Sequence, residues 1–214
     1  MSKPGPNSAP AHFAALLASL REPLRSLGFR TAGQRWTFDS QDAIGLIEFQ
    51  RSRASSQGAI RFTVNVGVEY RLLSNFFGAS SVGAPPKIEH CHWRDRLGFL
   101  MPEQHDLWWT IDSETDCHRL SEVLSGALLR YAVPTIMSRL SAKELLQELR
   151  LPTFRGATAL QRLMYLSVAA RAAGESELAQ DAASELERNA KGRPWERTVE
   201  VHLRKLSQMP LAKT

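Results

Sequence analysis

Between Ile60 and Val68 apolar and polar residues alternate without a break. Ile60, Phe62, Val64, Val66 and Val68 are interleaved with Arg61, Thr63, Asn65 and Gly67. A period of two puts the first set on one side of a β-strand and the second on the other, which predicts a strand with one buried and one polar face. Trp36 and Phe38 alternate in the same way with Arg35 and Thr37, and Ile47 and Phe49 with Glu48 and Gln50. The run Ser-Ser-Gln-Gly at 55–58 joins two of these strands as a hairpin. Further strands are predicted over 88–101 and 105–112. In the second of these Leu107, Trp109 and Ile111 alternate with Trp108, Thr110 and Asp112. Turns, not crossover helices, separate these runs, so the sheet should be antiparallel.

On either side of this middle region the apolar period lengthens to that of a helix. Phe13, Leu16, Leu17, Leu20, Leu24 and Leu27 form a stripe spaced by threes and fours, opened by Pro10 and divided by Pro23. Gly28 supplies a left-handed cap. From Asp116 the chain reads as helix to its end. Leu120 to Tyr131 carry one stripe until Pro134 interrupts, and Ser141 with Glu144 has the spacing of a capping box. Later stripes are Leu160, Leu163, Met164 and Val168, then Leu178, Ala182 and Leu186, then Trp195, Val199, Leu203 and Leu206. The predicted class is α+β: an antiparallel sheet of about five strands with an N-terminal helix and a C-terminal helical part. The chain divides into a disordered tail at 1–9, an α+β domain at 10–150, and a helical extension at 153–210 packed upon it. The stripes of that extension are too thin to stand alone.

Composition narrows the compartment. The N-terminal residues lack the apolar core of a secretory signal, and no window is long and apolar enough to span a membrane. Cys91 and Cys117 are expected to be reduced, and the protein cytoplasmic. A net charge of +5 over 214 residues tilts the chain toward acidic partners. The charge is dispersed, which is not the footprint of a nucleic-acid binder.

Candidate chemistry gathers between His90 and Asp112, where three histidines, two arginines and three tryptophans lie close together. His90-x-His92, on one face of a strand, would hold two imidazoles about 7 Å apart, but no third ligand has metal-site spacing. Neither cysteine sits in a nucleophile signature, and there is no phosphate loop, GxSxG or HExxH. No catalytic residue, metal or cofactor is therefore expected. The polar face of the sheet is the better candidate. Gln50, Arg61, Asn65, His92, Arg94 and Trp108 fall on it and suit hydrogen bonding and stacking with a partner. The alternation leaves open whether helices cover this face. Trp93 and Trp109 belong to the apolar side.

The pieces Leu27-Gly28-Phe29, Phe49-Gln50-Arg51-Ser52, Asn65-Val66-Gly67, His92-Trp93-Arg94, Arg96-Leu97-Gly98 and Trp108-Trp109 occur in an order that resembles domain-of-unknown-function family 4304. The resemblance covers residues 11–140. It implies a fold and no catalytic residues, and leaves the last helices outside.

The reading that follows is a non-catalytic bacterial interaction protein. Its expected form is an immunity or antitoxin-type factor binding a partner protein, such as a toxin or effector, through the polar face. A nucleic-acid-associated module using the arginines is the first alternative. An enzyme with a site near His90, His92 and Asp112 is the second. Oligomeric state is left open.

Overall fold

A computed structural model describes residues 8–78 and 85–210. The tail predicted at 1–9 therefore lies, apart from Ser8 and Ala9, outside the described residues, as does most of the loop between Gly78 and Lys87. Ser8 is the N-cap of the first helix, α1 (Ala9–Ser19), and its hydroxyl accepts from the Ala11 N–H at 3.4 Å. Pro23 has no N–H to bond to Ser19, and the stripe breaks at Leu20 into α1 and α2 (Arg21–Arg25). Gly28, at φ +90°, then turns the chain into the sheet. That turn leaves Leu27, expected in the stripe, 41% exposed.

The sheet is antiparallel and has six strands: β1 (Arg30–Ala32), β2 (Arg35–Asp39), β3 (Ala43–Arg51), β4 (Ile60–Tyr70), β5 (Trp93–Arg96) and β6 (Trp109–Ile111). They run β1-β2-β3-β4-β5, with β6 also paired to β4. β5 opposes Asn65–Val68 and β6 opposes Ile60–Phe62, so the two share one edge of β4 like an interrupted strand. The long strands predicted over 88–101 and 105–112 are thus cut short. Residues 88–90 form a 3₁₀ turn, and α4 (Leu97–Leu100) leads the chain out of the sheet between the two pieces.

The apolar face of β4 is sealed. Phe62 meets Phe13 of α1 at 5.2 Å between ring centroids, and Phe49 and Trp109 at 5.7 Å each. α5 (Cys117–Ala127) crosses beside α1, tied by Ser19 to Ser121 at 2.6 Å. Pro134 does not end this helical region. A π turn at Leu128–Ala132 absorbs its missing N–H, and the chain continues into α6 (Val133–Met137). Trp93 lies in this core with the Arg139 guanidinium over its ring.

Ser141 caps α7 (Ala142–Leu149) by accepting from the Glu144 N–H, and a complete capping box of Thr158 with Gln161 opens α8 (Ala159–Ala172). After α8 come α9 (Ser176–Ala190) and α10 (Glu196–Gln208). The main core runs unbroken from the sheet into α8 and α9 through Leu166, Val168, Ala170, Ala179 and Ala182. A smaller cluster of Leu163, Leu186, Ala190 and Val199 closes the far end. Trp195, expected in the last stripe, stays 41% exposed because α10 begins only after it. The seam between sheet and bundle is aromatic. Phe77 of α3 (Arg71–Phe77) meets Tyr165 at 5.6 Å and stacks on His202 at 5.8 Å, while Lys205 donates to the Phe76 carbonyl.

Candidate functional site

The register places Gln50, Thr63, Asn65, Arg61, Arg94 and Arg96 on the face of the sheet opposite the core. α8 packs on α3 and α7 and reaches this side at His92 through Tyr165, while Gln50 and Arg61 stay exposed. What covers its upper part is local. Glu48 Oε2 accepts from Arg35 Nε at 3.1 Å and from the Ile88 N–H at 3.2 Å, pinning the 3₁₀ turn onto the sheet. The turn can lie that close because Gly67 has no side chain: a Cβ there would sit 2.7 Å from Cys91 Sγ and 2.8 Å from Ile88 Cδ1. Cys91 is therefore buried against the polar face, and desolvation raises its pKa well above the ordinary thiol range.

The lower part is open and held by side-chain bonds. Asn65 Nδ2 donates to Gln50 Oε1 at 2.9 Å, and Thr63 Oγ1 donates to the Leu107 carbonyl at 2.8 Å. Trp108 is half-buried, with the Arg61 guanidinium 5.0 Å and the Arg96 guanidinium 5.2 Å from its ring. Asp106 ties this group together, accepting from Arg96 Nη1 at 2.5 Å and Trp108 Nε1 at 3.0 Å. Slight desolvation pulls the Asp106 pKa upward, but those two hydrogen bonds outweigh it and hold the carboxyl below the ordinary range. Beside this clamp, over Asn65, lies an open cleft of about 370 Å³, lined by Ile88, Arg94, Arg96 and Phe99 among others.

Five of the six residues singled out in the sequence are gathered here: Gln50 and Arg61 exposed, Arg94 and Trp108 half-buried, Asn65 buried on the cleft floor. His92 is not among them. It is 5% exposed, accepts the Tyr70 N–H at Nδ1 (3.1 Å) and meets the Tyr165 ring at 5.2 Å. Burial lowers its pKa to about 4, so it is a neutral packing residue under α8. His90 sits in the 3₁₀ turn and faces solvent. The imagined pair on one strand face does not exist, because no strand forms before Trp93. Among the described residues no cluster of three or more His, Cys, Asp or Glu is placed to hold a metal.

Sequence reasoning missed Asp106 and left Arg96 out of the site. The spacing Asp106-x-Trp108 was the available signal, since residues two apart in an extended chain point the same way.

The comparisons with known proteins reach the same part of the molecule. Over residues 20–137 the chain matches the family described as Domain of unknown function (DUF4304), more than half its length, and it belongs to that family. No curated protein and no solved structure matches it. The matched span holds all six strands and the whole polar face, while α7 to α10 fall outside it. The family's description names no activity.

Proposed function

We propose that this protein is a binding module that works by occupying a partner protein with the open part of its polar sheet face. The observation that carries this reading is the Arg61–Trp108–Arg96 clamp. An indole held half-buried between guanidinium groups, with exposed Gln50 and Arg61 beside it, is the kind of aromatic and arginine anchor that dominates protein interfaces. The net charge of +5 favours an acidic partner. The specific form we propose is a blocking factor of immunity or antitoxin type. A preorganised face of this kind binds with little ordering cost and needs no chemistry of its own.

The test is co-expression with the products of the adjacent reading frames, followed by co-purification at moderate salt. A stoichiometric complex that is lost in the Arg61→Ala/Trp108→Ala double variant is the expected result. If the double variant forms the complex as well as the parent, or if the protein is retained on immobilised single-stranded nucleic acid in a way that this variant abolishes, the reading is wrong.

A further inference from the structure

The cleft over Asn65 carries a narrower conclusion, which rests on the polar face being a partner-binding surface. Its charges nearly cancel. Glu89 pairs with Lys87 at 3.8 Å, Asp95 with Arg155 at 2.6 Å, and Arg96 with Asp106 at 2.5 Å. Arg94 is the exception. Among the described residues its guanidinium has no carboxylate partner, and its one hydrogen bond goes to the Glu89 carbonyl at 3.2 Å. Asn65, on the floor and 5% exposed, has one amide N–H committed to Gln50. The other N–H and the Oδ1 have no partner among the described residues, leaving one donor and one acceptor in the cleft. Ile88 and Phe99 supply apolar walls.

We infer that this cleft receives an acidic segment of the partner protein, with an Asp or Glu carboxylate on Arg94, a backbone peptide group on the Asn65 carboxamide, and a neighbouring apolar side chain between Ile88 and Phe99. One uncompensated cation suits one carboxylate. A nucleic-acid backbone would bring a row of phosphates against Glu89 and Asp95 as well. The cleft is open, so a segment can pass through it, and about 370 Å³ has room for a few residues' side chains.

Arg94 also has a structural contact, and the test must respect it. Gly156, at φ +90°, lies so close that a Cβ on it would be 2.5 Å from the Arg94 nitrogen and 2.8 Å from its Cγ. Arg94→Gln keeps that stem and removes only the charge. The experiment titrates the full chain, isotopically labelled for amide NMR, with the end-capped tripeptides acetyl-Leu-Glu-Leu-amide and acetyl-Leu-Gln-Leu-amide. A third arm uses trileucine with a free C-terminus. The Glu peptide is expected to bind at least tenfold tighter than the Gln peptide, shifting the Asn65 side-chain amide signals. Arg94→Gln should erase that preference without moving the melting temperature, and Arg94→Lys should restore part of it. Equal binding of the Glu and Gln peptides, or tighter binding of free trileucine, would overturn the inference. So would partner capture that survives Arg94→Gln but not Arg61→Ala/Trp108→Ala, and in that case the wider reading of the face would stand.

Discussion

The two sides of β4 are made of the same strand and are held by different physics. Ile60, Phe62, Val64, Val66 and Val68 are wholly buried by aromatic and aliphatic side chains from α1, β3 and β6. On the other side Thr63, Asn65 and Glu69 are also only 1–5% exposed. They are covered by neighbouring side chains and by short segments, and each is bonded: Thr63 to Leu107, Asn65 to Gln50, Glu69 to Ser74 at 2.5 Å. One face is specified by volume and the other by donor–acceptor matching. Alternation in a sequence therefore tells which side is apolar, and says nothing of how dry the other side is.

The largest expected effect falls on the volume side. Phe62→Ala removes a fully buried ring packed on three others and should cost about 4 kcal/mol of unfolding free energy, read from urea denaturation. A loss under about 1 kcal/mol would mean that the face is not the packed core described here.

A comparable effect should come from acid at the seam between sheet and bundle. His92 and His202 are buried and neutral, with pKa values lowered from 6.5 to about 4, by desolvation in both cases and by Lys205 as well for His202. The unfolded chain takes up these protons first, so their contribution to stability is whole above pH 6.5. It falls as the pH drops toward 4 and levels off below, by at most about 1.4 kcal/mol per pH unit for each imidazole. Melting temperatures between pH 7 and 4 should decline more steeply in the parent than in His202→Gln. Parallel curves would show that His202 is not buried in its neutral form.

The matched side should respond less. Asn65→Ala leaves Gln50 without its partner and is expected to cost about 1–2 kcal/mol in the same urea experiment, well short of Phe62→Ala. A cost equal to that of Phe62→Ala would make the polar face a second core. Arg61→Ala, at an exposed position, should change stability by less than about 0.5 kcal/mol.

The same contrast explains what could be read in the chain. The alternation of β4, the hairpin after β3 and the left-handed turn at Gly28 depend on residues a few positions apart, and they were legible. So was the company of Gln50, Arg61, Asn65, Arg94 and Trp108, because register follows from alternation once strands pair. Alternation does not reveal the burial of His92, because its environment is set by Tyr165, on a helix remote in sequence. The pattern overextends β5 for a similar reason: Gly98 lies against the returning chain at His105 and Leu107, a contact that local pattern does not announce. Pro134 reads as a break in the local pattern, whereas the chain accommodates it with a π turn at Leu128–Ala132.

The most direct measurement of the central claim pairs a melting curve with partner capture for Arg61→Ala/Trp108→Ala. If the clamp is an open binding surface, the variant should lose about 1–2 kcal/mol or less, a fall of a few degrees in melting temperature for a chain of this size, and fail to hold the partner. A fall well above about 10 °C would show that Trp108 and Arg61 are part of the core and that this face is built to be covered.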